Sequence, residues 1–315
     1  MTLKSISDAF EKFFFKAVPL HTVALLRVAF GLLLLFNWLT TFPYRAIFYG
    51  ENAVITFKTA AMVSNYTRLD LFGILPQTDT GVYILCMINL VAALGVLFGL
   101  FTRTSLALAF LTIMTFHNRN VFILNSADTL FQNMLFLLIF SGAGKMFSLD
   151  KYFFGKSPSE EVHAPWALRL IQMQFCMVYI STILFKFKGE AWVDGSAIYI
   201  ATRLDDLVRL PMPWLLDNLL MIKLMTWGTL VVELSLGTLV WIRELRYWVL
   251  AAGVALHLGI ELIMNIPMFE YIMIFTMLSM IDPDDMKKAI HWLKSRTQKT
   301  ENQLNSPEAL SYEII

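Results

Sequence analysis

His257 and Glu261 stand four residues apart in the apolar run ALHLGIELIMN, with Asn265 four further on, so one helix face carries all three. An imidazole and a carboxylate one turn apart in hydrocarbon can share a proton. They offer too few ligands for a metal, so no metal site is read here, and the structural alternative is a hydrogen-bonding stripe between helices. A second chemical stretch is KFKGEAWVDGSA, residues 186 to 197, which follows another apolar run. Lysines at the end of a span usually snorkel to water, which suits Lys188. Lys186 instead continues the helical stripe Gln172, Cys176, Tyr179 and Ile183. Turned inward, its amine would be desolvated and available as a base. Trp192 suits the membrane interface, and Gly189 with Gly195 permits a turn back over the helix mouth. Three more ionisable groups lie in or beside apolar runs, where each is costly and needs a partner: Arg27, Glu233 and Asp128. Arg27 is expected to pair with a carboxylate such as Glu233. Asp128 and Gln132 share a helix face, while the polar segment His117 to Asn120 reads as an ordinary surface turn.

The elements that must position these groups follow from composition. Hydrophobic residues make up 57% of the 315 and charged ones 16%, and mean hydropathy is +0.62, so the chain reads as a membrane protein. Repeated apolar runs of about 20 residues make it an all-α polytopic membrane protein rather than a barrel. Eight transmembrane helices are expected, at 20–41, 82–101, 104–124, 128–147, 166–185, 220–242, 246–265 and 267–281. The first is too long for a signal-peptide core and is expected to remain as a span. An interfacial helix is expected over 1–19, the transmembrane domain over 20–281, and a cytoplasmic amphipathic helix with a disordered end over 282–315. The excess of Lys and Arg falls on the side of the N-terminus, which places both termini in the cytoplasm. The two longest connections, 42–81 and 186–219, then form an outward-facing cap. Net charge is only +1, with no basic patch suggesting nucleic acid as a partner. Cys86 and Cys176 lie in apolar runs without metal or redox spacing.

Several segments in this order resemble the HTTM family, the membrane domain shared by vitamin K-dependent gamma-carboxylase and many bacterial proteins. Lys186, Gly189, Trp192 and Gly195 resemble its Lys, Gly, Trp-x-x-Gly signature, and SGAGKMFSLD (141–150) its segment ending in Ser-x-Asp. HLGIELIMNIPMFEYIM (257–273) is similar to the carboxylase pattern in order and spacing, and Arg27 with Gly31 resembles the family's start. The resemblance covers roughly residues 15 to 285. It implies that Lys186 is the counterpart of the carboxylase base, allowing one residue of slack, and that a quinone or vitamin K-like lipid is the associated cofactor. The carboxylase's supporting histidine would fall on Ala127 or Asp128, where this chain has none. Small stand-alone members are similar to the membrane component that matures a sporulation-delaying peptide toxin.

Three functions are therefore expected. The first is a maturation or accessory factor in a bacterial inner membrane, acting on a small secreted peptide or partner protein at an outward-facing cavity. The alternative is a carboxylase-like membrane enzyme with a quinol-like substrate, in which Lys186 is the base and His257, Glu261 and Glu233 position the substrate. A transporter is the third, and the sequence carries no visible repeat to support it.

Overall fold

The computed structural model describes residues 3–63, 70–155 and 162–304; Arg68, Lys156 and the expected disordered end at 305–315 lie outside them. Ten principal helices are labelled here: α1 Leu3–Phe15, α2 His21–Thr41, α3 Asp79–Phe98, α4 Thr102–Arg119, α5 Ser126–Leu138, α6 Trp166–Lys186, α7 Leu219–Gly237, α8 Arg243–Ile263, α9 Phe269–Met277 and α10 Pro283–Leu304. A two-residue antiparallel pairing, Val18–Pro19 with Val162–His163, ties the segments just before α2 and α6. Both helices therefore start at the same end of the bundle.

Among the described residues, five helices are long and apolar enough to cross a membrane: α2 with its continuation to Tyr49, α3, α6, α7 and α8. The chain is thus a multi-pass helical membrane protein. The remaining expected spans fold as shorter helices. α4 carries Arg103 and Arg119 within its length, and the run expected over 128–147 gives up its helix at Leu138 before a turn and a short 3-10 segment, Ala143–Lys145. The last run is split into α9 and a 3-10 turn, Leu278–Met280.

Local chemistry sets these boundaries. The Thr78 hydroxyl caps α3 by accepting from the Gly81 N–H, and the left-handed Gly99 closes its other end. Asn125 and Asp128 form a reciprocal capping box at the start of α5. α2 and α3 lie close because Gly31 carries no side chain: a Cβ there would sit 2.6 Å from the Leu97 Cα. Around them packs a buried core that includes Leu20, Ala24, Phe30, Leu34, Phe131 and Phe175, with the Phe30 and Phe131 rings stacked at 5.7 Å. Outward-facing Phe36, Val91, Met177, Leu184, Val231 and Leu258 are exposed, the pattern of a bundle whose perimeter meets lipid.

The two long connections are not extended loops. The first folds into short helices at Arg45–Tyr49 and Phe57–Val63, the second at Glu190–Val193, Ala197–Ala201 and Pro213–Leu216. Both follow helices that start at the clipped end, so both lie at the opposite end of the bundle.

Candidate functional site

Side chains on a helix lean toward its N-terminus, so the last residue of a helix reaches back along it. Lys186 ends α6 and leans into the bundle. The neighbouring α7 runs the other way, and its Glu233 leans toward the lysine. The amine donates to Glu233 Oε1 at 2.6 Å and Oε2 at 2.7 Å. Trp192, on the short helix that follows, covers the amine with its ring centroid 4.2 Å from Nζ. The lysine and glutamate side chains are only 17% and 9% exposed, so this is a shielded pair and not a snorkelling lysine. Gly195 supplies the turn, with φ +86, in a position where a Cβ would meet Lys223 Cγ at 2.9 Å. Gly189 has ordinary backbone geometry, φ −93, so the turn rests on Gly195 alone.

Two helical turns before Lys186, on the same face of α6, the Tyr179 hydroxyl lies 2.7 Å from His257 Nε2 on α8. The other ring nitrogen, Nδ1, meets the carboxylate of Glu270 on α9. When the Glu270 carboxylate is ionised it accepts from Nδ1, and Nε2 faces the tyrosine. All three residues are buried, Glu270 completely. Glu270 Oε1 is left buried without a hydrogen-bond partner. Glu270 reaches this position because Met268, with φ +63, turns the chain sharply after Pro267. Tyr179 and Lys186 share one face of α6, so both clusters lie in the half of the bundle nearer the long connections.

The expected sharing of a proton between His257 and Glu261 is not what forms. His257 turns into the bundle, whereas Glu261 Oε1 accepts from Arg209 and, at 2.9 Å, from the Tyr271 hydroxyl. The segment carrying Arg209 is strapped to the end of α8 by Arg209 N–H to Ile263 O at 2.8 Å and Asn265 N–H to Leu207 O at 2.7 Å. Asn265 accepts from Arg209 as well, at 3.3 Å.

The expected pairing of Arg27 with Glu233 is likewise corrected. Arg27 sits at the other end of the bundle and donates to three backbone carbonyls: Val96 O at 2.9 Å, Leu97 O at 3.0 Å and Phe147 O. Asp128 stays at the start of α5, accepting from the Asn125 N–H at 2.7 Å and lying 3.9 Å from His117, which also contacts Gln132 at 3.3 Å. The segment read as a surface turn is partly buried: Arg119 donates to Tyr49 O at 3.0 Å and Gly50 O at 2.8 Å, and Asn120 to Phe48 O at 3.1 Å. These residues pin the first long connection to α4.

Sequence reasoning put Tyr179 in the right stripe without giving it a role, and passed over Glu270. The available signal was the same for both: an ionisable or hydroxylic group in an apolar run with no local partner. Beside the network, an apolar cleft of about 320 Å³ opens between α7 and α8 under Ile198 and Thr202. Val232 and Leu256 line it, next in the chain to Glu233 and His257. Among the described residues, no three of His, Cys, Asp and Glu converge as metal ligands would.

A family model described as the HTTM domain matches residues 15–284. No curated protein and no solved structure matches the chain.

Proposed function

The chain belongs to the HTTM family, and on that premise we propose that it is a membrane enzyme that moves protons on a lipophilic substrate, with Lys186 as the base and Glu233 as its proton partner. The observation that carries this reading is the shielded Lys186–Glu233 pair under Trp192. An amine and a carboxylate this close can exchange a proton. When the proton lies on Glu233, the neutral amine of Lys186 can accept one from an acidic O–H or C–H, leaving an anion on the substrate beside the new ammonium. His257, held in one tautomer by Glu270, orients the Tyr179 hydroxyl below that pair. A quinol-like lipid suits the surroundings, because the apolar cleft of about 320 Å³ would take its chain beside the helices that bear Glu233 and His257. Such a quinol would supply the acidic hydroxyl. Glu261 belongs to this reading as the anchor of the Arg209 strap rather than as an acid.

The reading extends to placement. Eight membrane passes, both termini in the cytoplasm and an outward cap fit the distribution of Lys and Arg, and the proposed location is a bacterial inner membrane. The test is extraction of lipids from the purified protein. Wild type is expected to carry a quinone-like lipid that Lys186→Met and Glu233→Gln lose, and a lipid profile in wild type identical to that of an unrelated membrane protein would overturn the proposal.

The maturation reading has one observation in its favour: Val54, Ile74 and Trp214 in the long connections are 79%, 86% and 77% exposed, apolar positions available to a secreted peptide or partner protein. It predicts that substitutions at these three positions, and not at Lys186, reproduce the cellular phenotype of a deletion.

A further inference from the structure

The segment SGAGKMFSLD takes no part in the proton network. It folds at the clipped end of the bundle, where Gly144 brings the chain against Thr102 so closely that a Cβ would lie 2.6 Å from its Oγ1. Asp150 caps α4 from across the turn, accepting from Phe101 N–H at 2.7 Å and Thr102 N–H at 2.8 Å. Between this turn and α4 opens a cavity of about 420 Å³, and three of its lining residues are Arg103, Lys145 and Lys151. Among the described residues, Asp150 is the one carboxylate lining it, and its oxygens are committed to the cap. Neither Arg103 nor Lys145 has a carboxylate within ion-pairing distance among the described residues. Burial, then the charges of Lys145 and Arg103, hold the nearby His163 imidazole below its ordinary range, so the positive character of the cavity rests on Arg103 and Lys145.

The rim decides what kind of anion belongs there. Phe101 and Phe154 line the cavity and are 62% and 60% exposed, and the exposed Tyr152 and Phe153 precede Phe154 on the short helix Leu149–Phe154, residue types that sit at a membrane–water interface. Along α5, exposed Phe136 and the neighbouring Phe140 continue an apolar track away from the cavity. A free phosphate would use the cations and leave this rim without a role. We propose that the cavity binds the phosphodiester headgroup of an anionic phospholipid, with Arg103 and Lys145 on the phosphate, Lys151 at its edge, and the acyl chains lying along the apolar track. This site is distinct from the Lys186–Glu233 cluster, and the inference does not draw on the enzyme reading.

Native mass spectrometry of the full-length protein in detergent, with phosphatidylglycerol or phosphatidylcholine added, tests it. Wild type is expected to retain phosphatidylglycerol in preference to phosphatidylcholine. Lys145→Gln should lower that retention about fivefold, and Arg103→Gln with Lys145→Gln by about the product of two such factors. Lys12→Gln, on α1, should change nothing, and circular dichroism melting confirms that each variant is folded. Equal retention by wild type and the double variant would overturn the site. Displacement of the lipid by an equal concentration of glycerol phosphate would make a soluble phosphate ester the ligand, and overturn the lipid assignment.

Discussion

Arg27 and Lys186 are both cations set against apolar helices, and they are satisfied in opposite ways. Arg27 gives its hydrogens to the backbone carbonyls of Val96, Leu97 and Phe147, groups that cannot change protonation. Two of those carbonyls, Val96 and Leu97, end α3, where a helix leaves acceptors without internal partners, and Phe147 lies in the segment after α5. Lys186 gives its hydrogens to a side chain, Glu233, and a few residues away Tyr179, His257 and Glu270 again join side chain to side chain. The first arrangement fixes a helix end. In the second every link can hold or release a proton. The class of partner, rather than burial or charge, separates a structural cation from one available for chemistry.

The comparison breaks most visibly if Arg27 is removed. Arg27→Met leaves three carbonyls unsatisfied, and with charged hydrogen bonds worth about 1.5–3 kcal/mol each the loss should exceed about 3 kcal/mol. Size-exclusion chromatography in detergent is expected to show little monodisperse protein. Arg27→Lys should not restore it, since an ammonium lacks the planar fork that reaches all three acceptors. A well-folded Arg27→Lys protein would mean that the charge alone matters there.

The lysine pair should behave differently. Lys186→Met alone leaves Glu233 shielded without its counter-charge, a change that costs about 3 kcal/mol in buried pairs and less here, where the lysine is partly exposed. Adding Glu233→Met should recover most of that stability without recovering the bound lipid. A thermal-melting cycle over the four proteins measures the first outcome, and lipid extraction the second. A double variant that stays unstable would make the pair structural, like Arg27.

Much of this was legible in the sequence and some was not, for one physical reason. Helical periodicity fixes which residues of one helix share a face, so the inward stripe from Gln172 to Lys186 could be read directly: Gln172, Cys176, Tyr179 and Ile183 are all buried. Periodicity says nothing about which helix lies opposite. Pairing Arg27 with Glu233 failed because the two groups lie at different ends of the bundle, and pairing His257 with Glu261 failed because a nearer acceptor, Glu270, arrives from α9. The short helices in the long connections were missed because they are too short for a hydrophobic period. The helix ends were shifted by caps, such as Thr78, that hydropathy ignores.

Asp150→Asn tests the structural end more gently. The carboxylate caps α4 with two backbone hydrogen bonds, and an amide keeps one acceptor, so the loss should be about 1 kcal/mol. A melting curve within error of wild type would show that the Thr102 hydroxyl and the turn suffice without the charge.

A stability change just as small is expected where the chemical change is greatest. Tyr179→Phe keeps the ring and its packing against Phe175, whose centroid lies 5.0 Å away, and removes one hydroxyl. The lost hydrogen bond is worth about 1 kcal/mol. His257, however, loses the group on Nε2 while Glu270 still holds Nδ1. With ¹⁵N-labelled histidine, the Nε2 resonance of His257 should move while Nδ1 remains protonated; Glu270→Gln should disturb Nδ1 instead. If Lys186 and Glu233 belong to the same proton network, Lys186→Met should also shift the His257 signals, because Tyr179 and Lys186 share one face of α6. An imidazole indifferent to Lys186 would reduce the tyrosine–histidine–glutamate chain to a second structural pin, and leave the lysine pair as the sole place in the bundle where partner type points to chemistry.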